Sequence, residues 1–261
     1  MKPHHSRYWL NPNHDNEELF VSEVKDVCDT YHEAPRKAVI NSRRTISIDE
    51  NTGIQALERK NPTKKIEPGK PERIEFEYIR HGTLSLIANF DAVTGEVVSP
   101  GIGDTRNEHD FCEHIRRLIL SDPETQEWVF VADQLNTHKS ESLVKLVIEL
   151  CEIKDDLGVK GKQGILKSMK SRAEFLRKKD HAIRFVYTPK HCSWLNQVEI
   201  WFGILTKKII KRGNFTSKKD LKSKLLDFID YFNATMAKPY KWTFNGLPLK
   251  AFPPARPRPN L

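Results

Sequence analysis

The sequence predicts an α/β protein built on a mixed sheet with helices on both sides. Three observations carry this. Residues 128–132, WVFVA, form a continuous apolar run of the kind found in a central strand covered on both faces. Short β-branched segments alternate along the chain with longer ones whose apolar residues recur at i, i+3 and i+4. The clearest changeover lies in residues 185–211. There the strand-like Phe185, Val186 and Tyr187 stop at Pro189, and a helical stripe of Leu195, Val198, Phe202, Leu205 and Ile209 follows.

Residues 1–37 are polar, with a helix through Leu19, Phe20, Val24 and Val27 that ends near Tyr31; they are expected to be an interdomain linker or arm packed on the main body. The main domain is expected over 38–246. Ala38, Val39 and Ile40 lead into the strand TISID, in which Ile46 and Ile48 share one face while Thr45, Ser47 and Asp49 share the other. Asp49 is expected to end that strand. Residues 58–73 are charged and contain three prolines, so they read as a loop. Strands over 82–90 and 96–99 join through a turn at Thr94 and Gly95. Residues 107–120 form an amphipathic helix with Phe111, Ile115, Leu118 and Ile119 on one side, and the central strand then stops at Asp133. Another helix covers 140–151.

Residues 152–180 differ in composition. Between Lys154 and Lys179 there are nine Lys or Arg against three acids, and Gly158, Gly161 and Gly164 break the segment near its start. The segment reads as a basic helical insertion carried on the core before the late helix of residues 195–209, serving as a DNA-binding flap or simply as a solvated face. A last helix covers 220–233, and 247–261 is a proline-rich, extended tail.

Lys and Arg exceed Asp and Glu by 8 over 261 residues, and the chain carries 5 Trp and 13 Phe. That fits a folded protein that meets a polyanion, although charge alone fits a merely basic soluble protein equally well. The four cysteines lack paired spacing. No stretch approaches the ~18 apolar residues that span a membrane, and the first residues show no apolar run. A cytoplasmic protein with free thiols and no membrane partner is expected.

Three acids stand at turning points of this pattern: Asp49, Asp133 and Glu199. Three carboxylates without a thiol or histidine cage favour a hard divalent cation, Mg²⁺ or Mn²⁺. Two such ions about 3.5–4 Å apart can clamp a scissile phosphate. Taken singly, each aspartate is also an ordinary turn residue. Glu199 sits at the edge of an apolar stripe, where burial of a carboxylate costs roughly several kcal/mol unless a cation meets it. Zinc at His191 and Cys192, or at Cys112 between His109 and His114, lacks the paired ligand spacing of a structural site. A glycosidase pair of Asp133 and Glu199 is disfavoured by the positive charge and by the lack of an aromatic-lined sugar site.

The motifs SIDENTGIQALE (47–58), FVADQLNTHKS (130–140) and YTPKHCSWLNQVEIWFGIL (187–205) resemble the three acidic motifs of DDE-type transposases. More narrowly, they are similar to the bacterial insertion-sequence branch of the mariner superfamily, the insertion sequence six-thirty group. The resemblance runs from the linker-like Arg7, Tyr8, Trp9 and Leu10 to about Gly246. It implies an RNase H-like fold and a catalytic, metal-binding triad of Asp49, Asp133 and Glu199. It further implies Mg²⁺-dependent cleavage of transposon-end DNA and strand transfer into a TA target, with dimeric synapsis. Members of the group begin with helix-turn-helix modules, so the chain is expected to start at the linker. Those modules would come from a separate N-terminal product, or the chain is an inactive DNA-binding remnant.

Around the triad, Asn136 and His138 could orient a metal-bound water or contact phosphate, or Asn136 could merely cap a turn. Glu50 reads as structural or as a support to the acids beside it. His191, Ser193, Trp194 and Asn196 precede the late helix, and His191, Trp194 and Asn196 are candidates to support the acids or contact DNA. Ser193 or Asn196 could instead cap the helix, and Trp194 could stack on a base but reads first as a core aromatic. Lys207 and Lys211 share a helical face and could track a DNA backbone, though cations near a helix C-terminus are also favoured by the dipole.

Overall fold

A five-stranded sheet in the order β3-β2-β1-β4-β5 organises the protein. The computed structural model describes residues 17–246. Along the chain they form α1 (Glu17–Asn41), β1 (Arg43–Arg59), β2 (Tyr78–Asp91), β3 (Val97–Gly103), α2 (Glu108–Leu120) and β4 (Glu127–Ala132). There follow α3 (Glu141–Leu150), α4 (Met169–Leu176), β5 (Ile183–Tyr187), α5 (Val198–Leu205) and α6 (Lys218–Thr235). β1 pairs antiparallel with β2, and β2 with β3, whereas the β1–β4 and β4–β5 pairs are parallel. This is the mixed α/β sheet that the alternating pattern predicts.

The apolar run of β4 is covered on both faces because successive side chains point opposite ways. Trp128, Phe130 and Ala132 join the core beneath α2, α3 and α4, while Val129 and Val131 pack with Val24, Val27 and Cys28 of α1. A separate cluster lies between the β1–β2–β3 half of the sheet and the pair α5 and α6, and contains Trp201, Phe202, Leu221 and Leu225. Four helices, α2, α3, α4 and α6, start where short polar side chains cap them. Asn107 accepts the backbone N–H groups of His109 and Asp110 at α2, and Ser140 accepts that of Leu143 at α3.

Three expectations are corrected. The first helix runs on through Pro35 to Asn41, so Val39 and Ile40 are helical and 86% and 67% exposed; Ser42, with φ 45°, makes the break into β1. β1 does not end at Asp49. Its parallel partner β4 stops pairing after Ser47, but β2 continues to pair to Arg59, which holds the strand extended. The basic segment is not merely carried on the core: Leu166, Ala173, Phe175 and Leu176 are buried in it. The linker-like residues 7–10 and the proline-rich tail lie outside the described residues. Among the described residues no helix is long and apolar enough to cross a membrane.

A buried polar joint ties α2 to the β2–β3 hairpin. His114 Nε2 lies 3.1 Å from Asn89 Oδ1, and Asn89 Nδ2 donates to the carbonyls of Val98 and Ser99. Burial lowers the pKa of His114 to about 4, so the ring is neutral at neutral pH. Gly101 makes room for it, since a Cβ there would stand 2.6 Å from His114 Nδ1. Gly101→Ala is expected to destabilise by about 1–3 kcal/mol in urea unfolding. An unchanged midpoint would show that the ring yields freely.

Candidate active site

The sheet brings the first two acids together at the place where β4 ends. Asp49 lies two residues beyond the last β1–β4 pair, Ser47 with Val131, and Asp133 is the first residue after β4. Asp49 is 7% exposed. Its Oδ1 accepts the N–H of Glu50 at 2.8 Å, and Asn196 Nδ2 lies 3.4 Å from its Oδ2. Burial and then repulsion from Asp133 raise its pKa to about 7. Glu199 lies in the first turn of α5. Partial desolvation and the charge of Asp133 raise its pKa as well. The charge of Asp133 is therefore felt by both of the other acids.

Glu199 itself is exposed rather than buried, contrary to the expectation from its apolar stripe. The reason is local. Residues Ser193–Leu195 form a separate 3-10 turn, and α5 begins only at Val198, so Leu195 is not on the helix that carries Glu199.

The start of α5 is held by distant residues. Gln197 stands at the N-cap position without a side-chain bond, and neither Ser193 nor Asn196 caps the helix. Instead the N–H of Val198 donates to Ser47 Oγ at 2.8 Å, and the N–H of Gln197 donates to the Tyr31 hydroxyl at 3.3 Å. These bonds satisfy donors that a helix end leaves open. Asn196 is fully buried; it accepts the Ser47 hydroxyl and donates to the carbonyl of Ile48 at 3.0 Å. It fixes the backbone beside Asp49 and has no surface for DNA.

His138 is likewise buried, which removes it from direct phosphate contact. Its Nδ1 lies 2.8 Å from Asp133 Oδ1 and its Nε2 3.1 Å from Glu50 Oε2. Carboxylates only accept, so both ring nitrogens carry protons. Burial alone would lower the pKa, but the bonds to Asp133 and Glu50 override it and raise it to about 10. For Asp133, desolvation pushes upward, yet the His138 hydrogen bond and charge win and hold it below the usual carboxylate range. Tyr187 Oη donates to the His138 carbonyl at 2.7 Å and Arg172 Nε to that of Lys139 at 2.7 Å. A cation of the basic segment thus fixes the turn that carries His138.

The remaining candidates lie apart from this buried network. Asn136 is exposed and its side chain caps nothing. His191 is exposed with φ 61°. Trp194 is 54% exposed, meeting Phe244 edge-on, and is not a core aromatic. Lys207 and Lys211 are exposed and line an open groove of about 490 Å³ together with Glu199 and Glu50.

Three contributors escaped the sequence argument: Ser47, Glu50 as a partner of His138, and the half-desolvated Lys139, whose Nζ donates to Gln134 Oε1 at 2.7 Å. Ser47 did leave a signal, a small polar residue on the same strand face as Asp49 in an otherwise buried strand.

Hard oxygen donors held against their mutual repulsion suit a divalent cation, which would relieve that repulsion. In the present side-chain positions, no three His, Cys, Asp or Glu side chains among the described residues converge to hold one. Asp133 Oδ1 is engaged by His138 and by the N–H of Leu135 at 2.9 Å.

Residues 44–222 match the family described as DDE superfamily endonuclease. No curated protein matches the chain. Among solved structures, the fold is similar to the Mos1 mariner paired end complex with Mn at 15% identity, covering 87% of this chain and 59% of that one, with a TM-score of 0.51. The Mos1 Strand Transfer Complex is similar at 13% identity, 86% and 58% coverage and a TM-score of 0.50. The likeness is one of fold, the RNase H-like arrangement of a mixed five-stranded sheet between helices. The chain spans about three fifths of the length of those chains.

Proposed function

The chain belongs to the DDE superfamily endonucleases, and from that premise we propose that it is the catalytic domain of a transposase of the insertion-sequence branch of the mariner superfamily. It cleaves transposon-end DNA and joins the freed 3′-hydroxyl to a TA target, working as a dimer on two ends. The observation that supports this reading is the meeting of Asp49 and Asp133 at the end of β4, with the charge of Asp133 acting on both Asp49 and Glu199. The three acidic motifs and the family match support it.

Asp49, Asp133 and Glu199 would hold one or two Mg²⁺ or Mn²⁺ ions. When bound, these supply Lewis-acid stabilisation of the scissile phosphate and lower the pKa of the attacking hydroxyl. The chain contributes fixed positions. Asn196 and the Glu50 N–H orient Asp49, while the protonated His138 turns Asp133 and keeps it ionised. Lys207 and Lys211 offer cations to the DNA backbone a short way from the chemistry.

The test joins activity to linkage. The full chain should nick supercoiled DNA with Mg²⁺ or Mn²⁺ and not in EDTA. DNA binding without nicking under either ion would reduce it to a binding protein. Because the folded pKa of Asp49 is raised, its contribution to stability is complete below the ordinary carboxylate range. It is lost as pH rises through about 7. A cation that neutralises the site should therefore raise Tm more at pH 8 than at pH 5, by about 5 °C or more near saturation. Equal shifts at both pH values would detach the cation from Asp49.

A further inference from the structure

Helix α5 contains a glycine that the fold does not require. Gly203 lies in the interior of α5, where glycine is the least favourable residue other than proline. Its φ is not in the left-handed region, and a Cβ built on it would meet no atom within 4 Å. Among the described residues nothing stands close enough to exclude that Cβ. Gly203 is one helical turn beyond Glu199, on the side opposite the buried Val198, Trp201 and Leu205, and it lines the groove that begins at Glu199.

The same groove continues along a π-helical turn, Thr206–Ile210, and contains Thr206, Lys207 and Lys211. In an uninterrupted α-helix Lys211 would stand about 120° around the axis from Glu199. The wider π turn slows the rotation per residue, and Lys211 stays on the groove with Glu199. Such turns recur at functional sites. Neither lysine forms a salt bridge among the described residues, whereas Lys218 and Lys224, further along the chain, each do.

A floor without a side chain and two unpaired cations beyond it suit a polyanion that must lie directly against the helix. We propose that the groove from Glu199 past Gly203 to Lys207 and Lys211 seats the sugar–phosphate backbone of one DNA strand, with Gly203 kept bare to admit it. This rests on the reading of the chain as a DNA nuclease. Lys207 stands ~12 Å along the axis from Glu199, so the lysines meet phosphates a few nucleotides from the bond being cut, and Gly203 sets how closely the strand approaches the carboxylates.

The experiment uses the full chain and a fluorescein-labelled duplex with a 3′ single-stranded extension, read by anisotropy in EDTA and by nicking with Mn²⁺. Gly203→Ala should raise Tm by about 2–4 °C, because alanine favours the helix and meets nothing, and yet bind this DNA more weakly. Gly203→Leu should weaken binding further and slow nicking by about 10²-fold, as displaced substrates do. Charge reversal at Lys207 and Lys211 should each reduce the slope of log K against log salt by about 1. If Gly203→Leu lowers Tm instead, Gly203→Ala decides the matter, being more stable yet weaker in binding. Wild-type affinity and nicking in both glycine variants would overturn the proposal. A wild-type chain that fails to nick, while the glycine variants still lose affinity, would overturn the nuclease reading and leave the groove standing.

Discussion

Asp49→Asn, Asp133→Asn and Glu199→Gln should each lower metal-dependent DNA nicking by roughly 10³-fold or more, with DNA affinity in EDTA unchanged or slightly improved. Each substitution keeps the shape of the side chain and removes one charge from the set that would hold the cation. The stability effects should differ among the three. Asp49 is buried and repelled by Asp133, so Asp49→Asn relieves a strain and should stabilise the metal-free protein at pH 8. Asp133→Asn should destabilise it, because His138 then loses one of its two carboxylate partners. Glu199→Gln lies on an exposed face and should leave Tm nearly unchanged. Wild-type nicking by any one of the three variants would remove that residue from the triad.

His138→Ala should cost about 3–5 kcal/mol in urea unfolding, the largest stability effect expected in the site. The imidazolium is fully buried between Asp133 and Glu50, and the Glu50 side chain is only 3% exposed. Removing the cation leaves the buried Glu50 carboxylate facing a second carboxylate with no partner. The loss also empties the space against Phe111, whose ring centroid is 4.4 Å from that of His138. A double variant, Glu50→Gln with His138→Gln, should recover part of the stability because no buried charge is then left alone. It should not recover nicking, since Asp133 is no longer turned and kept ionised. A cost below about 1 kcal/mol for His138→Ala would mean that water reaches Glu50 and that the ion pair is not a structural support.

The architecture was legible where periodicity is a property of one element. The run WVFVA ends at Asp133 in the sequence and in the fold because a strand covered on both faces must be apolar throughout. Asp49 was legible as a position, though not as a strand end, since the pairing that continues beyond it comes from β2. Glu199 is proposed from its motif and not from its helical stripe. The spacing from Leu195 spans a 3-10 turn and a helix, which periodicity reads as one element. The support for that helix was invisible for a different reason: Ser47 and Tyr31 are remote in sequence, and no local cap signal can reveal them. His138 sits in a polar run that resembles a solvated turn, while the three-dimensional neighbours that bury it, Glu50 and Phe111, come from β1 and α2. In the basic segment the density of charge hid four core side chains.

The bonds from Ser47 and Tyr31 to the first turn of α5 also make the placing of Glu199 a property of the tertiary fold. A helix of eight residues with no cap of its own is marginal alone. Its first turn is anchored through β1 and α1, so the position of Glu199 depends on both. On the proposed function, competence is then a property of the completed fold and not of α5 alone.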